Sequence, residues 1–332
     1  MALDTMKGLL VAGFVSLAFL GFIECVQGQP SSAVGMNERP VTLVVPFAAG
    51  GGSDILARIV ADKLRSVIKQ TVIVDNRPGA NGLIASQFVE KSKPDGYTLM
   101  LGSNSTHVIA PLLQPDKEAG ETIRKKFALI SMISGTPLVL AVSEQSAIKD
   151  LKQFLSQSDK ELTFGTFGVH SSPHLMGTLL AAQSGARLLH VPYKGSAPAV
   201  TDLLSGQISS VFLTIAAIST YVESKHIRAL AVTGTKRVAT LPDVPTFQER
   251  GIEGLENPGW FAVFAPANVP APVAAYLREG VREIMSQPDM QTKLQELGLQ
   301  DARPLADREA AVWSESIVST KAILRKTGLD LN

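Results

Sequence analysis

The chain has 332 residues, a formal net charge of +1, 45% apolar residues and 18% charged residues. That length exceeds a single typical core and suits two domains. A near-neutral balance with no basic stripe interleaved with aromatics excludes an electrostatic nucleic-acid surface.

The first segment stands apart. One lysine in MALDTMK precedes an apolar run over 8–23, and Val26 and Gly28 offer small residues before Gln29. This is the pattern of a cleaved secretory signal spanning 1–28, and the run falls short of the ~20 residues of a membrane span. Asp4 in a weakly basic start leaves an uncleaved anchor as the other reading. The only cysteine, Cys25, follows Glu24, not the small residue of a lipoprotein site. The mature chain is then expected without thiols or disulfides, which suits export to a bacterial periplasm.

From Pro40 onward, short β-branched runs alternate with helical periodicity, the pattern of an α/β fold. Strands are expected at 41–47, 71–76, 97–101, 138–143, 162–166, 188–193, 208–214, 227–233 and 260–266. Helices are expected at 172–183, 197–204, 271–286, 289–297 and 307–326. Pro and Gly punctuate the turns at 76–79, 93–96 and 204–206. The polar, charged run at 114–126 reads as a solvated surface loop.

The strand at 41–47 runs into VPFAAGGGSDI, and a helical pattern follows at once. A strand that turns through glycines into a helix points unpaired N–H groups and the positive end of the helix dipole above the sheet. Bare glycine backbone lets an anion approach, Ser53 adds a hydroxyl, and Ser53 or Asp54 is placed to cap the helix. A Walker loop would end in Gly-Lys-Ser/Thr, and a dinucleotide fingerprint would need a glycine where Ile55 stands. Both nucleotide readings fail, and a plain tight turn is the bland alternative.

LTFGTFGVHSSPHLMG, from 162, repeats the design with Ser171 and Ser172 as cap candidates and Pro173 at the helix start. Two anion cradles more than a hundred residues apart fit one in each of two domains. His170 and His174 have the i, i+4 spacing of a metal pair, but no carboxylate or cysteine completes a site. His174 reads as bonding locally in the first turn. Tyr193 and Lys194 are balanced between the cleft and packing or a surface ion pair, whereas Trp260 and Phe261, aromatics at the start of a buried strand, read as core more than as pocket lining. No Gly-x-Ser-x-Gly elbow or ordered triad is visible, so catalysis has no foothold.

Several segments together resemble the periplasmic solute receptors of the tripartite tricarboxylate transporter type, the Bug family. They are VPFAAGGGSDILAR, NRPGANG, PDGYTLMLG, LTFGTFGVHSSPHL, HVPYKGSAPAVTDLLSGQ, RALAVTGTKR, LPDVPTFQERG and WFAVFAPANVP, in the family's order across nearly all the mature chain. The resemblance implies a two-domain, type II Venus-flytrap fold of α/β class with an interdomain cleft. Domain 1 is expected at 38–137 plus 258–332, and domain 2 at 138–257.

It also implies a small carboxylate ligand, a di- or tricarboxylate or an aromatic acid. One end would fall on Phe47, Ala49, Gly51, Gly52, Ser53 and Asp54, and the other on Gly168, Val169, His170, Ser171 and Ser172. The loop after the third strand, Ser103 to Thr106 with Ser105 and Thr106 foremost, would complete the first-domain side. Thr214 stands where many relatives carry Asp, which weighs against an amino-acid ligand. The resemblance also implies delivery of the ligand to membrane transporter subunits, while the lack of an obvious extra interaction segment suits a monomer, and the residues themselves give no reason to expect a cofactor, metal or catalysis. A hydrolase or isomerase in the same cleft, or a sensor not coupled to transport, are the alternatives.

Overall fold

The computed structural model describes residues 36, 39–114, 119–157, 160–256 and 259–329. The expected signal segment, with Cys25, lies outside the described residues. The chain opens with β1 (Val41–Val45), α1 (Gly52–Ile68), β2 (Val72–Asn76), α2 (Leu83–Glu90) and β3 (Thr98–Ser103). A π-helical turn (Ser105–Ile109) runs into α3 (Ala110–Leu112), followed by α4 (Ala119–Lys126) and β4 (Phe127–Thr136). Next come β5 (Leu138–Ser143), α5 (Leu151–Leu155), β6 (Leu162–Thr166), α6 (Ser172–Ser184) and β7 (Leu188–Pro192). They are followed by α7 (Ser196–Leu204), β8 (Ser210–Thr214), α8 (Ser219–Glu223) and β9 (Ile227–Val232). The last elements are β10 (Gly259–Pro266), α9 (Ala271–Ser286), α10 (Pro288–Glu296), β11 (Gln300–Asp301) and α11 (Glu309–Thr327).

These strands form two mixed sheets, ordered β11-β4-β10-β3-β1-β2 and β7-β6-β8-β5-β9. In the first, β1 lies parallel to β2 and β3, and β10 runs antiparallel between β3 and β4. In the second, β6 lies parallel to β7 and β8, and β5 runs antiparallel to β8 and β9. The chain leaves the first sheet after Thr136, builds the whole second sheet and re-enters the first at Gly259.

Local chemistry explains the elements that aim the loops. A parallel strand covered on both faces reads as a continuous apolar run, and VTLVV buries Val41, Leu43, Val44 and Val45. In α1, Leu56, Val60 and Leu64 fall on one stripe with Ala57, Ala61 and Ile68, while Arg58, Asp62 and Arg65 stay exposed. Helix α6 is buried on most sides because it lies between the second sheet and α11. Leu175, Met176 and Leu179 of α6 share one core cluster with Trp313, Ile317 and Leu324 of α11. The last helix therefore ties the two halves together, since α11 also packs on β4 and the π-helical turn.

All nine expected strands are present, with ends shifted by one or two residues, and so are the five expected helices. Two strands escaped the sequence reading. β4 is pressed between β10 and β11 and lacks a clean period-two pattern, and β11 has only two residues. The run at 114–126 is not wholly a solvated loop. Its second half forms α4, where Ile123 is the one side chain described as buried and docks into the core above Phe127.

Packing is tight where α6 crosses β6. A Cβ added at Gly177 would lie 2.3 Å from Cε2 of the buried Phe164 ring. Replacing a helical glycine by alanine gains about 1 kcal/mol in propensity, whereas overpacking a rigid aromatic costs about 1–3 kcal/mol. Gly177→Ala is expected to lower the urea midpoint, with the clash outweighing the propensity. A raised midpoint would show that the ring yields freely.

Candidate functional site

The loop from β1 to α1 is held open by its own polar groups. Gly50 takes a left-handed φ of 81°, which lets its N–H turn back to donate to Asp54 Oδ2 at 2.9 Å. Arg58 Nε donates to the same oxygen at 3.0 Å. Burial alone would raise the Asp54 carboxyl, but hydrogen bonds from Arg58, Gly50 and Asn76 hold it below the usual carboxylate value. Asn76 Nδ2 in turn donates to Phe47 O at 3.0 Å and pins the start of the loop. The N-cap is Gly51, without a side-chain cap, which corrects the expectation that Ser53 or Asp54 caps α1. Among the described residues, the N–H groups of Gly52 and Ser53 have no protein acceptor.

The π-helical turn is braced from below. Thr106 Oγ1 accepts the Ser103 N–H at 2.9 Å and meets His107 Nδ1 at 2.9 Å. His107 is fully buried and stacked on Phe264 with centroids 3.9 Å apart. Desolvation pushes its pKa down to about 3, so it is neutral. Thr106 is thereby a brace for the loop and does not face the cleft.

The matching loop between β6 and α6 is knotted by hydroxyls. Ser171 Oγ donates to Gly168 O at 2.6 Å, and Thr166 Oγ1 accepts the Gly168 N–H at 3.2 Å while meeting His190 Nε2 at 2.7 Å. Ser171 is the N-cap position but its side chain does not cap, and Pro173 follows Ser172 as the second helical residue. His170 is left-handed, with φ 60°, and its N–H donates to His174 Nδ1 at 3.1 Å. His174 thus bonds locally, as its sequence position predicts. His174 and His190 stack with centroids 3.9 Å apart, and burial first, then neighbouring histidines, push them down to about 3 and about 4.

The two loops touch across the sheets. Ser105 Oγ accepts the Ser172 N–H at 2.9 Å and lies 2.9 Å from Ser172 Oγ. Asn81 Nδ2 donates to His170 O at 2.6 Å, and the Ala48 N–H donates to Lys194 O at 3.2 Å. Beneath these links lies an inner cavity of about 30 Å³. Of the residues singled out in the sequence, Phe47, Gly51, Ser53, Ser105, Ser172 and Thr214 line it.

Gly168, Val169 and His170 instead line a second, outer cavity of about 360 Å³. Ala49 is exposed, and Gly52 is pressed against Thr214. Asp54, Thr106 and Ser171 hold the loops together.

Ser103 and Asn104, in the 103–106 loop expected on the first-domain side, also line the inner cavity. Sequence reasoning did not pick out several other wall residues. Phe167 had a legible place directly after its strand. Thr136, Ser196 and Gly259 carried none, because they reach the wall only through chain crossings. Trp260, left between two roles, does both. It is buried, its Nε1 donates to Ser316 Oγ at 3.0 Å, and it also lines the cavity.

The wall has an unusual polar balance. Ser103 Oγ, Asn104 Oδ1, Thr136 Oγ1 and Thr214 Oγ1 are all buried without a hydrogen-bond partner, and all four residues line the inner cavity. Among the described residues, no Asp, Glu, Lys, Arg or His lines it. Buried polar groups in folded proteins are normally satisfied, so four orphans around one cavity mark a place for a polar guest.

Comparison with known proteins agrees with this architecture. The family described as tripartite tricarboxylate transporter family receptor matches residues 56–329. Protein BugT of Bordetella pertussis is 31% identical over 324 residues, covering 95% of this chain and 98% of BugT. The solved structure of the periplasmic binding protein BugD superposes with a TM-score of 0.81 at 31% identity, covering 89% of this chain and 99% of BugD. The R. palustris protein Rpa4515, solved with adipate, gives 0.82 at 31% identity over 88% of this chain and 98% of its own. In two-sheet architecture, chain crossing and sequence alike, this chain belongs to the tripartite tricarboxylate transporter receptor family of solute-binding proteins.

Proposed function

We propose that the protein captures a small carboxylate between two lobes and delivers it to a tripartite tricarboxylate transporter. The observation that carries this is the set of three unpartnered buried hydroxyls, on Ser103, Thr136 and Thr214, together with the free N–H group of Ser53, around a cavity that among the described residues is lined by no ionisable side chain. Serine and threonine hydroxyls and a helix N-terminus donate to a carboxylate, and the helix dipole offsets its charge. Rpa4515, a structural neighbour, was solved with adipate, which supports the carboxylate class. Among the described residues no carboxylate lines the cavity to hold an ammonium, so an amino acid is disfavoured.

The lobes are 38–137 with 258–332, and 138–257, and they close around the ligand. The Ser105–Ser172 and Asn81–His170 bonds belong to the closed arrangement, which ligand favours through its higher affinity for that form. The protein is a receptor and not an enzyme. The hydroxyls of Ser105 and Ser172 bond to each other, and no histidine stands on the inner wall to activate them. Its place is the periplasm, reached by a cleaved signal. The periplasmic assignment of BugD supports this, and among the described residues no helix is long and apolar enough to cross a membrane.

Thermal-shift screening against mono-, di- and tricarboxylates tests the reading. A binder present at 100 times its Kd stabilises by about 2.7 kcal/mol, which raises the melting temperature by several degrees. Ser53→Ala and Ser172→Ala are expected to reduce that shift without unfolding the protein. Stabilisation by nucleotides or metals but by no carboxylate would overturn it.

A further inference from the structure

The turn between β2 and α2 runs against the handedness of its own residues. Gly79, Ala80, Asn81 and Gly82 all have positive φ, at 127°, 44°, 48° and 85°. Left-handed backbone is unfavourable for L-residues and occurs at single positions rather than in runs, with glycine and asparagine its usual occupants. Close packing seats this run. The Gly82 N–H donates to Gly79 O at 2.9 Å. A Cβ at Gly82 would lie 2.6 Å from Thr106 Cγ2 and 2.9 Å from Pro46 Cβ, so the turn is pressed against both site loops of the first sheet.

What the turn presents is the Asn81 side chain. Its Nδ2 donates to His170 O at 2.6 Å, which joins the half built on the first sheet to the half built on the second. The accepting peptide is itself oriented, because His170 is left-handed and its N–H is held by His174 Nδ1. Asn81 also sits over Gly168, where an added Cβ would lie 3.3 Å from Asn81 Oδ1. Two strained turns meet at one hydrogen bond.

The place of that bond sets it apart from the ligand. Ser105 and Ser172 join the halves in the wall of the inner cavity, where a carboxylate would compete for both hydroxyls. Neither Asn81 nor His170 lines that cavity. We infer that Asn81 is a latch, a positioning residue that holds the closed form through the His170 carbonyl and sets how slowly ligand leaves. Asparagine meets both needs of the position, since it tolerates left-handed backbone and carries an amide donor on a short side chain. Glycine keeps only the first, and aspartate turns an acceptor on the carbonyl. This inference rests on the carboxylate-receptor reading and adds the control of release. The latch forms after ligand has entered, so its loss acts on dissociation and spares association.

The test measures affinity by calorimetry and on- and off-rates by stopped-flow tryptophan fluorescence, since Trp260 lines the inner cavity. The full chain is titrated with acetate, succinate, adipate, malate, citrate and benzoate. For an acid that binds, Asn81→Gly is expected to raise the off-rate about 2- to 10-fold, the range of one neutral hydrogen bond. The on-rate and the urea midpoint of the ligand-free protein are expected to stay unchanged. Asn81→Asp is expected to raise the off-rate further, because it sets a carboxylate against the carbonyl. An off-rate unchanged in both variants, or a loss of affinity carried by the on-rate, overturns the latch while the receptor reading stands. A urea midpoint that falls in both variants with the off-rate unchanged makes Asn81 a purely structural residue and overturns the latch as well. Failure of every acid to bind the unaltered protein overturns both readings.

Discussion

Gly52→Val is expected to weaken carboxylate binding by more than about 100-fold while leaving the urea midpoint of the ligand-free protein almost unchanged. Gly52 begins α1 on one side of the cleft, and a Cβ there would lie 2.4 Å from Thr214 Oγ1 and 3.3 Å from the Ala216 Cβ on the other. The threonine side chain can rotate, but the alanine cannot, and valine adds two further carbons against it. Overpacking of this kind costs about 1–3 kcal/mol, and losing the Ser105–Ser172 contact adds about 1 kcal/mol. Together these approach or exceed the ~2.7 kcal/mol that equals a 100-fold change.

The strain falls where the start of α1 meets the 214–217 segment, so it opposes the arrangement that binds ligand more than the packing of either sheet. For that reason affinity is expected to respond far more than stability. Calorimetry and small-angle scattering check it together. Undiminished affinity, or a variant that closes normally on ligand, would show that Gly52 does not gate closure.

The second large effect is loss of stability in acid. His107 and His174 are buried and neutral, with pKa values near 3, against 6.5 in an unfolded chain. Above pH 6.5 both states bind the same protons and the term is constant. Below it the unfolded chain takes up protons that the fold refuses, so stability declines by about 1.4 kcal/mol per pH unit for each group. Between pH 6.5 and 4 these two groups account for a loss on the order of 5 kcal/mol. His190, pushed down to about 4, adds to the same window.

That loss is comparable to a typical domain's whole stability. Urea titrations at pH 7, 6, 5 and 4 measure the slope. His174→Asn supplies an acceptor for the His170 N–H but cannot take up the proton. It is expected to flatten the slope by about one group's share, and a slope equal to that of the unaltered protein would remove His174 from the effect.

How much of this was legible beforehand follows a physical line. The strands beside the site were visible because a buried parallel strand must be apolar throughout, as VTLVV is, and the helices because α1 repeats its apolar residues every three or four positions. The loops were visible because glycine and hydroxyl residues at a strand-to-helix turn have few other uses. β4 was not visible, since its pairing with β10 carries two register shifts that break the alternation a reader counts. The cap was misplaced at α1, and at α6 Ser171 holds the N-cap position without its side chain capping, because a side chain's hydrogen-bond partner depends on where the neighbouring loop lies. Asp54 turned back to Gly50, and Ser171 turned back to Gly168.

Sequence alone therefore determined the α/β class, the two glycine- and hydroxyl-bearing turns from strand to helix and the family, all of which rest on short-range pattern. Tertiary structure alone decided which polar atoms are left unsatisfied and face one another. Ser105 meets Ser172 across 67 residues, and Thr136 and Thr214 reach the same wall from strands of different sheets. It also separated the residues expected at one site into an inner cavity and an outer one, with Phe47 and Phe167 in the walls of both. That division depends on how two lobes meet, and no local spacing encodes the meeting of surfaces that the chain brings together only by leaving one sheet and returning to it.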